Sequence, residues 1–366
     1  MTTTTLNDDE RIEALSGRIF MAGLEALELL NVELGLRLGL YTALANKGPL
    51  SSGELADATG VAERYAREWL EQQAVSGILD ADNAAADALT RRYELPAPHA
   101  HVLLDANSPA NTTALAAFIA EAGRMVPAVV GAFRSGKGVA YADYAIHDLQ
   151  AAFTRPVFVN NLIQDWLPAL PDIHHRLVDG EAVRVAEIGC GEGIAAITIG
   201  RAFPNAIVHG FDLDEASISV ARKNAAEAGV GERVRFEVSD GSKGAAALGE
   251  GTYDLVIAIE MLHDVPNPVG VLTTMRELRA ADGAVVIADE RVADEFTAPG
   301  DEMERFMYAA SVLHCLPVGM VEEGSAATGT VIRSSIVGDY ASRAGFAATT
   351  VLPVDHPQFR LYRLED

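Results

Sequence analysis

Basic residues are scarce in this chain: 28 Lys and Arg stand against 52 Asp and Glu, leaving a formal charge of -24. A surface of that sign repels nucleic-acid phosphates and anionic lipid headgroups, so neither nucleic acid nor membrane is an expected partner. Cysteine is nearly absent, with Cys190 and Cys315 the only two. A secreted disulfide framework needs more, so a reducing cytoplasm is the expected compartment. The N-terminus, MTTTTLNDDE, carries acids where a signal peptide needs base, and no apolar segment directly follows. Long apolar runs are missing too. The best candidate, ALAAFIAEAGRMVPAVVGAF, is interrupted by Glu121, Arg124 and Pro127, whereas a spanning helix needs roughly 20 predominantly apolar residues. Histidines are scattered, and neither His174-His175 nor His99-x-His101 has further ligands at metal-site spacing, so no metal is expected.

What is present suits a soluble globular protein. Apolar residues make up 49% and charged ones 22% of 366 residues, enough for a large core and more than one domain. The first ten residues are polar and expected to fray. From Arg11 to Ala45 the pattern is helical, and GLEALELLNVELGLRLGLYTALA is apolar on more than one face. Such a helix must be buried, in its own core or against a second copy of the chain. SSGELADATG then offers Ser52 as N-cap and Gly60 as a stop. VAERYAREWLEQQAVSGIL follows with Ala66, Trp69, Leu70 and Val75 near helical spacing. Two short turn-rich segments, LDADNAAADAL and RRYELPAP, read as a hairpin. Helices followed by a hairpin is the order of a winged-helix module. From Asn111 to Leu177 the text is again helical, with expected breaks at Pro127, Gly136 to Gly138, Pro156 and Pro171.

At Val183 the style changes. The apolar runs VRVAEIG, AIVHGFD, RVRFEVSD, YDLVIAIE and GAVVIADE alternate with helical stretches. This alternation predicts βαβ units and a mostly parallel sheet. The final GFAATTVLPVDHPQFRLYRLE reads as two strands joined by a proline-containing turn.

The first strand runs into VAEIGCGEG, where glycines let the backbone approach a ligand and helix amides point at it. The spacing Gly189, Gly191, Gly193 is not the dinucleotide fingerprint, because that pattern wants glycine where Ile194 stands. Glu187, two residues before the first glycine, would repel a pyrophosphate and suits a ligand with a cationic amine and no phosphate. This E-x-G-x-G-x-G text resembles the first motif of class I S-adenosylmethionine-dependent methyltransferases. The resemblance continues at Asp212 with Leu213 after the second strand, at Asp240 with Gly241 after the third, and from Glu260 to His263 after the fourth. It implies that Glu187 holds the methionine ammonium, directly or through water. Gly189, Cys190, Gly191 and Gly193 would shape the loop, Asp212 would take the ribose, Asp240 with Gly241 the adenine, and Glu260 would lie beside the methionine moiety. Ligands of open α/β sheets bind at that edge.

The segment EMLHDVPNP resembles the L-H-D stretch of small-molecule O-methyltransferases that carry an N-terminal winged-helix dimerisation region. In that family the histidine is the general base, which makes His263 the candidate. An acid after the fifth strand orients it, and Asp289 in VVIADE is the positional match, with Glu290 adjacent. A second supporting acid would fall near Val331, where none stands. The W-S-D common in plant members is Val265-Pro266-Asn267 here, closer to bacterial methyltransferases of mixed chemistry, carbon methylation included. A substrate wall is expected from YADYAIHDLQAAFTRPVFVNNLIQDW and MERFMYAASVLHCLPVGM, with Tyr141, Tyr144, Phe153, Phe158, Phe306, Met307 and His314 as candidates.

Two other classes are weighed against this reading. A cofactor-sensing winged-helix regulator would need a basic face, yet Ser51 to Leu95 holds four basic residues against nine acidic ones. An enzyme of the same fold that uses the cofactor for cyclisation or decarboxylation would share every cofactor motif. The expected architecture is therefore a helical winged-helix-like dimerisation domain over 1–105, a helical substrate-cap region over 106–180, and a Rossmann-like methyltransferase domain over 181–366. That last domain has a seven-stranded, mostly parallel sheet ending in an antiparallel hairpin. The expected function is methyl transfer, O-methylation favoured, to a small molecule by a cytoplasmic homodimer. An alanine-rich composition hints at secondary metabolism.

Overall fold

The protein is described by a computed structural model covering residues 7–145, 147–248 and 252–366. Its chain divides into two compact units, Met1–Gly123 and Arg124–Asp366. Residues 1–6 of the segment expected to fray lie outside the described residues. The remainder does not fray: Asn7 and Glu10 form a capping box that starts helix α1, Asp8–Arg37. The helical text up to Ala45 is split, because Gly39 adopts φ 66° and starts α2, Leu40–Lys47, in a new direction.

In α3, Ser52–Thr59, the N-cap is Ser51 rather than Ser52, again in a capping box, here with Glu54. Ser52 is thereby turned inward, where its hydroxyl donates to Glu63. α4, Glu63–Val75, buries Ala66, Trp69 and Leu70 as their spacing predicts. Val75 is exposed instead, and Gln73 holds the buried position, accepting the Tyr41 hydroxyl. Positions 66, 70 and 73 follow one helix face and 75 falls off it. The hairpin strands β1, Asp80–Ala81, and β2, Tyr93–Glu94, pair antiparallel, and α5, Ala97–Leu104, follows. Tyr41 packs edge-on against Trp69 with ring centroids 5.0 Å apart, in a core shared with Leu44, Leu55, Leu70 and Tyr93. The N-terminal part of α1 lies outside that core: Ile12, Leu15, Ile19, Phe20 and Leu27 are all exposed.

α6, Ala114–Ser135, passes through Pro127, and α7, His147–Asn161, passes through Pro156, so neither proline ends its helix. A proline removes one N–H and crowds one carbonyl but does not force the chain to turn. Buried neighbours, Met125 and Val129 in one case and Val157 and Phe158 in the other, hold the helix through it. Among the described residues α6 is the one helix long and apolar enough to cross a membrane by length and composition. A π turn, Leu162–Trp166, leads to α8, Pro171–Val178, which does begin at the expected proline.

The sheet follows the sequence expectation closely. Its strands are β3 (Arg184–Ile188), β4 (Ile207–Asp212), β5 (Val234–Val238), β6 (Tyr253–Ile259), β7 (Arg279–Glu290), β8 (Ala348–Val351) and β9 (Phe359–Glu365). Their order is β5-β4-β3-β6-β7-β9-β8. The first five are parallel and β9 runs antiparallel to both its neighbours. Residues Leu255–Ile259 and Ala284–Ala288 are buried without alternation, because helices cover both faces of the central strands. Those helices include α9 (Ile194–Ala202), α10 (Glu215–Glu227) and α11 (Pro268–Leu278). α12 (Glu302–Ala310), a second π turn at Ser311–Cys315, α13 (Leu316–Gly319) and α14 (Ser334–Arg343) complete the unit.

Between β3 and α9 the helix cap is Gly193, at φ 77°, where an added Cβ would lie 2.3 Å from the Phe236 ring. Left-handed strain and overpacking together put the expected cost of Gly193→Ala at about 2 to 4 kcal/mol. Urea unfolding followed by circular dichroism should show the midpoint fall with little change in slope, and an unchanged midpoint would remove this packing argument.

Candidate active site

In a parallel sheet the strand C-termini share one edge, and here they open into a cavity of about 530 Å³. Its floor is the glycine loop. The N–H groups of Gly189 and Cys190 both donate to the Phe211 carbonyl, tying the loop to the end of β4. Gly189 sits at φ 72°, and a Cβ there would come within 2.8 Å of the Met261 side chain. The loop is therefore a cradle that any larger residue would fill.

Carboxylates line the same edge. Glu187, 3% exposed, accepts the Ala196 N–H at 2.9 Å. Because Gly193 offers no side chain, this strand residue supplies the cap that α9 lacks, while still lining the cavity. Burial is the main cause that pushes its carboxyl up to about 8. Asp212 accepts Gly191 N–H at 2.8 Å with one oxygen and Asp214 N–H at 2.9 Å with the other. Burial raises its pKa as well. Asp240 is half-buried and accepts both the amide and the hydroxyl of Ser242, at 2.9 and 2.7 Å. Gly241 is held against Ile188, with a Cβ there falling 2.7 Å from its side chain. Leu213 lines the mouth and is largely exposed. Glu260 has φ 51°, a conformation that costs a non-glycine residue of order 1 to 3 kcal/mol and clusters at functional sites. Its carboxyl is pushed up to about 8, by burial first and then by the nearby Asp264 and Asp289.

Behind Glu260 stands a histidine–carboxylate pair. His263 is 2% exposed and its Nδ1 lies 2.6 Å from Oδ1 of Asp289, itself fully buried at the end of β7. Nδ1 therefore carries the donated proton, and Nε2 faces Asp264 Oδ1 at 3.2 Å. Burial alone would lower the imidazole pKa, but Asp264 and Asp289 outweigh it and lift it well above the ordinary value. Asp264 lines the cavity while His263 lies directly behind it. Val331 leaves the expected second acid unfilled, and the carboxylate facing Nε2 is Asp264. Glu290, 5% exposed, completes the acidic group.

The aromatic candidates divide. Tyr141 and Phe158 line the cavity. Tyr144 is packed behind them, its hydroxyl donating to the Leu313 carbonyl at 2.9 Å and its ring 4.6 Å from that of His314. Phe306 stacks on Phe153 at 6.3 Å, and Met307 is buried. Tyr144, Phe306, Met307 and His314 are therefore not on the cavity wall. Sequence reasoning passed over Met261, Asp264, Gln150 and Thr154, which are. Met261 and Asp264 lie within two residues of the chosen histidine in EMLHD, so proximity in the chain was the available signal. Gln150 and Thr154 share a face of α7 with no motif to mark them.

The donor set fits an S-adenosyl amino acid: a buried carboxylate beside a glycine cradle, a second at the β4 end, a third after β5, and no basic side chain among them but Lys243. A pyrophosphate would meet Glu187 and Asp212 unfavourably. Because the folded-state pKa of Glu187 lies above its ordinary 4.5, the folded chain holds a proton that the unfolded chain has lost. Stability from this group therefore falls as pH rises from about 4.5 to 8. Glu187→Gln should flatten that fall, measured as urea midpoints at pH 5 and pH 8; parallel trends in both proteins would contradict it.

Residues 179–329 match the model of a methyltransferase domain, and residues 26–105 that of the Rv2258c-like winged HTH domain. The ubiquinone biosynthesis O-methyltransferase of Vibrio campbellii is 34% identical over 102 residues, 28% of this chain and 41% of that one. That of Paracidovorax citrulli is 34% identical over 139 residues, 38% of this chain and 53% of that one. The chain thus spans about half the length of the curated relatives it matches. The structure of mitomycin 7-O-methyltransferase superposes with a TM-score of 0.69 at 17% identity, covering 97% of this chain and 98% of that one. Human N-acetylserotonin methyltransferase in complex with SAM gives 0.62 at 14% identity, covering 100% and 99%. These likenesses establish the fold as that of the class I methyltransferases, with a winged helix-turn-helix domain before it.

Proposed function

We propose that this chain is an S-adenosylmethionine-dependent O-methyltransferase acting on a small molecule. The observation that carries the reading is the convergence of Glu187, Asp212, Asp240 and Glu260 with the glycine cradle on one cavity, next to the His263–Asp289 pair. When bound there, the cofactor supplies an electrophilic methyl group on a sulfonium. Glu187 would hold the ammonium, Asp212 the ribose hydroxyls, and Asp240 with Gly241 the adenine. Leu213 and Cys190 would pack beside them.

His263 is the proposed base. Asp289 fixes the ring so that Nε2 is the nitrogen left to take a proton, facing Asp264 on the cavity side and close to Cys315. An acceptor hydroxyl beside Asp264 would pass its proton to Nε2. A cation bound in the cavity offsets the surrounding carboxylates and favours the neutral ring that a base requires. Tyr141 and Phe158 would form the wall for a flat apolar acceptor, with Tyr144, Phe306, Met307 and His314 shaping it from behind. In this reading 106–180 acts as the substrate cap and 181–366 as the catalytic domain. The reading in which the cofactor assists cyclisation or decarboxylation is not favoured, because the curated relatives are named O-methyltransferases.

The N-terminal part, over 1–105, is proposed to build a homodimer. Ile12, Leu15, Ile19 and Leu27 form a stripe on α1 at helical spacing, and an exposed stripe of this kind marks an interaction face. A cytoplasmic place in secondary metabolism is consistent with the acidic, cysteine-poor chain. In light scattering, the full chain should have twice the monomer mass, and Ile19→Glu with Leu27→Glu should halve it. A monomeric parent would end the dimer proposal.

Calorimetric titration should show S-adenosylmethionine and S-adenosylhomocysteine binding the parent protein and at least about tenfold weaker binding to Asp212→Ala, as expected for losing charge-assisted hydrogen bonds. With a hydroxylated acceptor, S-adenosylhomocysteine should form in step with methylated product. His263→Ala should keep cofactor binding while turnover falls by about 100-fold or more, the usual reach of acid–base catalysis. Near-normal turnover in that variant would remove His263 from the base role, and an intact cofactor after reaction would favour the non-methylating chemistry.

A further inference from the structure

The sequence contains no metal motif, yet the fold assembles ligands that lie far apart in the chain. Nε2 of His263, a carboxylate oxygen of Asp264 and Sγ of Cys315 all lie within 4.8 Å of one another. Cys315 is brought there by the π turn at Ser311–Cys315, an irregularity frequent at functional sites. Two further observations distinguish the cluster from chance proximity. Asp264 Oδ1 is buried and has no hydrogen bond of regular geometry, its polar neighbour being Nε2 at 3.2 Å. Nδ1 of the same imidazole is held by Asp289 at 2.6 Å, the carboxylate–histidine arrangement that orients a metal-bound ring.

We propose that His263, Asp264 and Cys315 form a three-ligand site for a borderline-soft divalent cation, Zn²⁺ or Co²⁺, whose fourth position faces the cavity. The set is one nitrogen, one oxygen and one sulfur, the donor classes zinc accepts, and it is poorly suited to Mg²⁺ or Ca²⁺. Bond lengths of about 2.0 to 2.3 Å place tetrahedral ligands roughly 3.3 to 3.8 Å apart. Contraction from the observed cluster is at most about 1.5 Å on that basis. Asp264 and Cys315 are only partly buried and Asp264 lies on the cavity wall, which provides the entry path. Binding releases the thiol proton and any proton on Nε2 to solvent; no electron is transferred.

The consequence for the proposed reaction is inhibition. The lone pair that the cation takes is the one the base needs, so an occupied site cannot accept the acceptor's proton. This blocking effect rests on the methyltransferase reading, whereas the metal site does not, and the experiment separates them.

The full chain, freed of metal by chelator, is titrated with Co²⁺ while its absorption is recorded. The expected result is one cobalt per chain, with a thiolate-to-cobalt charge-transfer band in the near ultraviolet and tetrahedral bands in the visible, all erased by added Zn²⁺. Cys315→Ser should abolish the charge-transfer band and Cys190→Ser should keep it. Asp264→Asn should keep the band with about tenfold weaker binding or more. Far-ultraviolet circular dichroism verifies that each variant is folded. No charge-transfer band in the folded parent protein, or a band that survives in Cys315→Ser, overturns the site. Turnover should fall in proportion to zinc occupancy and return with chelator. Full occupancy with undiminished turnover, or turnover that appears only with metal, overturns the blocking effect and leaves the site standing; absence of turnover both with and without metal is a failure of the methyltransferase reading alone.

Discussion

A fully buried carboxylate, Asp289, accepting a hydrogen bond from Nδ1 of His263 is the contact on which the chemistry proposed for this protein depends. A charge placed inside a sheet is tolerated only when it is paired and hydrogen-bonded. Asp289 meets that condition through Oδ1, which takes both the imidazole and the Glu290 N–H at 2.9 Å, while Oδ2 is buried without a hydrogen bond. Because Nδ1 is committed, the orientation and the free nitrogen of His263 are both fixed. Nε2 can face only the space that Asp264 and Cys315 share. The proton transfer and the cation binding proposed for His263 would thus be alternative uses of a single lone pair.

The surrounding edge concentrates negative charge to a degree that would be costly without a cationic guest. Glu187, Asp212 and Glu260 all have their pKa values raised by burial. Their repulsion is limited by a raised affinity for protons and by accepting backbone amides, as Glu187 does from Ala196 and Asp212 from Gly191. The Asp212 bond also ties down the glycine loop, and the Glu187 bond starts α9 directly after it. The candidate binding edge and the local backbone therefore share these carboxylates, so removing one would remove a structural tie together with a proposed ligand contact.

Much of this was legible in the sequence because central parallel strands are apolar without interruption. Residues Leu255–Ile259 and Ala284–Ala288 stand out as unbroken apolar runs, and both are buried along their whole length. Strand ends then fall on Asp212, Asp240 and Asp289, and the winged-helix order of helices and hairpin holds as well. What stayed hidden depends on contacts between distant segments. That Glu187 caps α9 follows from β3 lying beneath that helix's first turn, which no motif encodes. Val75 and Gln73 exchanged places because two positions of offset at the end of a helix swing a residue from core to solvent. Pro127 and Pro156 looked like breaks since local propensity favours one, while packing on either side favours continuity. Tyr144 and Met307 have the chemistry of a binding wall but sit one layer behind it, a distinction that composition does not carry.

The π turn at Ser311–Cys315 has a meaning for the history of such chains. A π turn is an α-helix carrying one extra residue, and each residue advances a helix by roughly 100°. A relative lacking that single insertion would run on as regular helix, with the cysteine rotated away from His263 though every neighbouring letter were the same. Whether a thiol meets the imidazole is then decided by segment length, not by side-chain identity. Substitution tables would not register the difference; a gap of one residue in this segment would.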